Sequence, residues 1–227
     1  MNTQPLENPF WAALTSHQAH LGVRDELAAR YVPEVAPFAG VGDLTATATE
    51  QLARLVTPGE SLYLLGLLPD LGLGWAVKNR CLLPQMVCEK PMSVRDGPEW
   101  IELGEPHRAD MLALTGLVFP GFFRPRTLEM GRYIGIYSDG QLVAMAGERL
   151  RVPGFQEISG VCTHPDHAGR GYAQRLVAEI GNAALARGLT PFLHVYSDNR
   201  RAIAVYEKLG FRLRAELPFC AVTRLAD

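Results

Sequence analysis

The run Thr163-His-Pro-Asp-His-Ala-Gly-Arg-Gly-Tyr-Ala173 holds the densest chemistry in this sequence. A strand-like segment enters it and a helix-like segment leaves it, with Gly169 and Gly171 at the turn. Glycines let backbone N–H groups crowd around an oxyanion, and the N-terminus of the next helix adds a favourable dipole. A pyrophosphate could be held there without a basic surface. The plainer reading is a strand-to-helix turn that needs positive φ. The run has neither the Gly-Lys-Ser/Thr of a P-loop nor a full Gly-x-Gly-x-x-Gly. Cys162 and His164 raise a thiol nucleophile, and with His167 a metal set, as secondary readings. A second stretch stands out at Tyr196-Ser-Asp-Asn-Arg-Arg-Ala-Ile-Ala-Val-Tyr-Glu-Lys-Leu-Gly-Phe211.

These stretches need a scaffold, and the rest of the chain supplies its signals. With 227 residues, 48% hydrophobic and 20% charged, the chain has an ordinary globular composition and can bury a sizeable core. A net charge of −2 does not suggest a nucleic-acid partner. Cys81, Cys88, Cys162 and Cys220 fit no zinc spacing and read as reduced thiols. No metal is expected. Residues 1–14 lack the basic start of a signal peptide, and apolar stretches such as Leu62 to Leu68 are too short to span a bilayer. A cytoplasmic protein with no membrane partner is the expectation.

Residues 24–31 read as a helix, Thr47 to Val56 as another ended by Pro58-Gly59, and Ser61 to Leu68 and Gln85 to Glu89 as strands. Residues 1–92 are taken as a small α/β domain, and 93–227 as a second, catalytic domain. There, a short strand at 100–103 precedes a helix begun at Pro106. Apolar runs around Ser-Asp-Gly (138–140) predict a hairpin. A strand at 155–163 then leads through the glycine turn into a helix whose stripe is Ala173, Leu176, Val177, Ile180, Ala184 and Leu185. A strand at 192–196, a short helix bearing Ala202, Val205, Tyr206 and Leu209, and two closing strands split by Pro218 complete a mixed sheet with helices packed on it, an α/β (α+β) class.

Together the two chemical stretches resemble the GNAT superfamily, the Gcn5-related N-acetyltransferases. Ala168-Gly-Arg-Gly-Tyr-Ala173 looks like its acyl-CoA pyrophosphate motif, and Asn199-x-x-Ala202-x-x-x-Tyr206-x-x-x-Gly210-Phe211 like its second signature. Ile158 to Pro165 is similar to the branch that includes glycine N-acyltransferases. The likeness is firm over about residues 155–212 and weaker from 98. Ala168 stands where the family usually has Gln or Arg, so its backbone N–H would serve.

The resemblance implies acetyl-CoA as co-substrate and a V-shaped opening between two central strands. Gly160, Val161, Cys162 and Thr163 would meet the pantetheine arm, Ala168, Gly169, Arg170, Gly171, Tyr172 and Ala173 the pyrophosphate, and Asn199 the pantetheine chain. It implies Glu157 as a general base with a carboxyl raised by burial, with Glu148 as alternative, and Tyr206 as general acid to the departing thiolate. The acceptor would be a small amine or amino acid, with the loop Phe119-Pro-Gly-Phe-Phe-Arg-Pro-Arg126 as its wall and Arg124 or Arg126 for a carboxylate. Residues 1–92 would be a degenerate copy of the same fold. A non-enzymatic acyl-CoA-binding module and an unrelated nucleotide-binding protein are the competing readings.

Overall fold

A computed structural model describes residues 3–226. Its strands form one eleven-stranded sheet among the described residues. The central unit begins with the hairpin of β7 (Tyr133–Ser138) and β8 (Gln141–Val152), turned by Asp139 and Gly140, both at positive φ. Two successive positive φ angles match the right-handed strand twist, which is why Asp-Gly makes this turn. β9 (Phe155–Thr163) runs antiparallel to β8 after Pro153-Gly154. The chain then crosses through α4 (Tyr172–Ala186) to β10 (Thr190–His194), which lies parallel to β9. In α4, Leu176, Val177, Ile180, Gly181 and Ala184 are buried at helical spacing. Gly188, at φ 73°, ends it in the left-handed conformation glycine adopts most readily.

The first 92 residues repeat this order. β1 (Gly22–Arg24), β2 (Ala28–Tyr31) and β3 (Phe38–Val41) pair antiparallel. Helix α2 (Ala46–Leu55) then leads to β4 (Ser61–Leu65), parallel to β3. Each unit is therefore strand, strand, strand, helix, strand. They are joined by exchange of their next strands. β5 (Trp75–Val87) pairs with β10, β11 (Arg212–Arg224) pairs with β4, and β5 and β11 pair with each other along nearly their full length. The order is β1-β2-β3-β4-β11-β5-β10-β9-β8-β7-β6, with β6 (Ile101–Leu103) at the far edge. Helices α1 (Pro9–Leu14), α3 (Arg108–Val118) and α5 (Arg200–Lys208) complete the fold.

Three expectations change. Residues 24–31 form β1, a turn and β2 rather than a helix. Every residue of β2 is buried, so pairing on both its edges overrides an apolar pattern that suits either period. Pro218 does not divide the closing strand. It sits beside a register shift, and its carbonyl accepts from Gly66 N, so the missing donor leaves no gap in β11. The boundary at 92/93 cuts no structural seam, because β5 from the first part lies between β10 and β11 from the second.

A fragment of residues 93–227 leaves β10 and β11 without their shared partner. It is expected to show no cooperative thermal unfolding by circular dichroism, whereas the whole chain does. A cooperative transition in the fragment would restore the split at 92.

Candidate active site

β9 and β10 are hydrogen-bond partners only as far as Glu157↔Phe192. Beyond that pair they part, because β9 is held by β8 and β10 by β5. A register shift between Met145↔Cys162 and Gly147↔Ser159 places a bulge at Gly160, whose φ is 63°. Such a bulge turns the strand and leaves a residue out of the ladder. Between the parted strands lies a cavity of about 210 Å³. Ile158 to Val161 line one side, and His194, Val195 and Tyr196 the other.

Asn199 caps α5, its Oδ1 accepting from Ala202 N at 3.1 Å, and it lines the cavity. Tyr206, on the buried face of α5, lines it too. Its ring meets Phe211, and its hydroxyl has no protein partner among the described residues. Burial pushes this phenol up to about 12, so it keeps its proton at neutral pH and can donate a hydrogen bond. The other wall is aromatic. Phe119, Phe122 and Phe123 come from the segment after α3, and Phe10 and Phe38 from the first 92 residues.

Glu157 does not have the environment expected of it. It is wholly buried, and Arg149 grips it with two bonds of 2.8 and 2.7 Å. His194 Nδ1 lies 2.7 Å from the same carboxylate, and Leu150 N donates to it at 3.3 Å. Burial alone would raise this carboxyl, but the charge and hydrogen bonds of Arg149, helped by His194, outweigh it and hold it down to about 2. The carboxyl is thus held below its ordinary range rather than raised, an environment that keeps Glu157 ionised. Glu148, the alternative base, is buried in an ion pair with Arg187 and does not line the cavity.

Gln85 fixes the ring of His194. Its amide Nε2 donates to Leu6 O at 3.1 Å and its Oε1 accepts from Arg214, so Nε2 also faces His194 Nε2, at 3.0 Å, as a donor. His194 Nδ1–H is then left to donate to Glu157.

The remaining expected residues divide. Val161 joins Asn199 and Tyr206 at the cavity. The Cys162 side chain turns away into a cluster with Met111 and Tyr133, where burial pushes its thiol up to about 12, against a nucleophilic role. Thr163 ends β9 opposite Ala144. Ala168, Gly169, Arg170, Gly171, Tyr172 and Ala173 stand apart from the cavity, at the start of α4. Gly169 and Gly171 both have φ 83° there. Arg124 and Arg126 do not reach the cavity either: Arg126 pairs with Glu129 at 2.7 Å.

Two cations were missed. Arg149 is the guanidinium at the cavity, lying over Phe38 at 4.9 Å. Nothing in a strand pattern marks it, because a register shift between Glu148↔Ile158 and Arg151↔Gln156 brings it to Glu157. Arg95 stands over the glycine turn, so a Cβ at Gly171 would meet its Nη1 at 2.9 Å.

A mixed sheet parted between two parallel strands, with a glycine turn leading from one of them into a helix, defines the N-acetyltransferase fold class. The FR47-like protein family model matches residues 133–219. The N-alpha-acetyltransferase RimI of Mycobacterium tuberculosis is 40% identical over 83 residues, 35% of this chain. That match spans 51% of the relative, about half its length. A solved GNAT-family structure from Novosphingobium aromaticivorans is 34% identical with a TM-score of 0.89, covering 98% of this chain and 100% of that one. A GCN5-related N-acetyltransferase from Kribbella flavida shares the fold at 16% identity, with a TM-score of 0.65 over 95% and 94% of the two chains. The chain belongs to the GNAT family.

Removing Glu157 leaves the partly buried Arg149 without its counter-charge, which costs on the order of 3 kcal/mol, the low end for a buried pair. Because the folded carboxyl lies below its ordinary 4.5, its contribution is present above that pH and fades as pH falls toward about 2. Urea midpoints of the wild type and Glu157→Gln should therefore lie far apart at pH 7, and the gap should narrow below pH 4.5 and close only as pH approaches about 2. A gap independent of pH would contradict the ion pair.

Proposed function

We propose that this protein is an acyl-CoA-dependent N-acetyltransferase that moves an acetyl group from acetyl-CoA to the primary amine of a small molecule or amino acid. The observation that carries this reading is the cavity between the parted strands, with Tyr206 and Asn199 on one rim and the bulged backbone of β9 on the other.

The pyrophosphate would lie on the backbone N–H groups of residues 168–173, where positive φ at Gly169 and Gly171 opens the turn toward the N-terminus of α4. Arg95 and Arg170 would add charge around it. Asn199 has its Oδ1 engaged as a cap and its Nδ2 left for a pantetheine carbonyl. The backbone of Gly160, Val161, Cys162 and Thr163 would carry the rest of the arm. A strand N–H at the bulge would stabilise the thioester oxygen as it turns anionic. Tyr206 would donate to the departing sulfur. Glu157, gripped by Arg149, would shape the site rather than take a proton.

Residues 1–92 are read as a degenerate copy of the same unit. Topology supports this, and so does the start of α2: Asp43 bonds Thr45 there, placing a carboxylate where an anionic ligand would have to sit. The aromatic wall and the small cavity support a small acceptor over a nucleic acid. Among the described residues no helix is long and apolar enough to cross a membrane. The four cysteines are unpaired, which supports a reducing, cytoplasmic setting.

Calorimetric titration should give micromolar binding of acetyl-CoA and none of ATP. Absence of acetyl-CoA binding would overturn the reading. Tyr206→Phe should lower kcat about 10²-fold while leaving acetyl-CoA affinity near that of the wild type. Unchanged turnover would remove Tyr206 as the acid.

A further inference from the structure

Every oxygen site on Glu157 is taken. Oε1 accepts from Arg149 and His194, and Oε2 from Arg149 and Leu150 N, while the residue has no exposed surface. Of the described residues lining the cavity, none is Asp or Glu. The titratable groups facing it are Arg149, His194, Tyr133, Tyr196 and Tyr206. Around Glu157 itself stand Arg149 from β8, His194 from β10, Tyr133 from β7 and Tyr31 from β2. His194 has its Nδ1 committed to Glu157 and its Nε2 to Gln85. The tyrosines are proton donors in this setting, and Arg149 does not deprotonate. Among the described residues lining the cavity, no side chain is thus placed to accept a proton from an ammonium ion. The Arg149 guanidinium in this aromatic wall also disfavours a second cation beside it.

We infer that the acceptor enters as an uncharged amine, and so belongs to the weakly basic class, an α-amino or aryl amine rather than a lysine-like alkylamine, with Glu157 serving to position Arg149 and not to take the acceptor's proton. This rests on the acetyltransferase reading above. The amine nitrogen attacks the thioester carbon, the C–N bond forms and the C–S bond breaks. The proton released by nitrogen ends on the coenzyme A sulfur, by way of the Tyr206 hydroxyl or water, so amide and free thiol are the only products. An α-amino group with a pKa of about 7.7–8.0 is about a quarter to two-fifths free base at pH 7.5, whereas a lysine amine at about 10.4 is available at roughly one part in a thousand.

The test is thiol release from acetyl-CoA by the wild-type chain, with an α-amino amide, an Nα-blocked lysine amide and an arylamine as acceptors, followed as kcat/KM across pH. The rising limb should move with each acceptor's own pKa, and at pH 7.5 the lysine amide should be about 10²–10³-fold poorer. In Glu157→Gln the limb should stay where the wild type has it, while KM for the acceptor rises. A limb fixed at one pH for all three acceptors, or one abolished by Glu157→Gln, would overturn the inference and restore an enzyme base. Thiol release from none of the amines by protein that binds acetyl-CoA would overturn the acetyltransferase reading, and this inference with it. The acceptor series needs no variant, so the outcome does not depend on whether Glu157→Gln folds.

Discussion

A carboxylate shut away from water stays ionised only if donors meet both of its oxygens, and the arrangement of the cavity follows from how that is done at Glu157. Arg149 reaches it from β8, His194 from β10 and the Leu150 amide from β8 again. These contacts tie β8, β9 and β10 together at the last point where β9 and β10 are paired. The opening therefore begins where the paired strands are held together by charge. The same contacts fix the guanidinium that lines the cavity and the tautomer of the ring beside it.

The ion pair draws on both parts of the chain. Gln85, on β5, orients His194 and is itself held by Leu6 O and Arg214. Gln18 donates to the carbonyl of Arg149 and accepts from Tyr31. Phe38 lies under the Arg149 guanidinium. Exchange of β5 and β11 between the two units makes this possible, since it threads the first part of the chain beside the parted strands of the second. The apolar wall continues the theme: Phe38, Phe122, Tyr63 and Phe219 form successive ring contacts across the join. The first part of the chain thus contributes Phe10, Phe38, Leu65 and Leu83 to the wall of the other unit's cavity.

Chemical consequences differ on the two rims. On the α5 rim, Tyr206 and Asn199 present donors where a thioester and its pantetheine arm would lie. On the opposite rim, the aromatic wall offers a single cation whose charge is already met by Glu157. On our proposal the acceptor meets this surface uncharged, because a bare ammonium would lose its water without gaining an anion.

Much of this was legible in the residues. Asp-Gly for the hairpin, the glycine pair before a 3.6-period stripe, and the spacing from Asn199 through Tyr206 to Phe211 are local signals, since turns, caps and helix faces depend on neighbours in the chain. They were enough for the family, the sheet class, and the placement of Val161, Asn199 and Tyr206. What tertiary structure decided was everything set by partners distant in sequence. Residues 24–31 became strands because of their neighbours in the sheet. Strand exchange joined two units that composition had seemed to separate. Glu157 was identified from its place on a strand, but its ionisation depended on Arg149, which a register shift delivers, and on His194, 37 residues further along. A residue's type is written in the sequence, whereas the field it sits in is the sum of charges and burial that only folding brings to it.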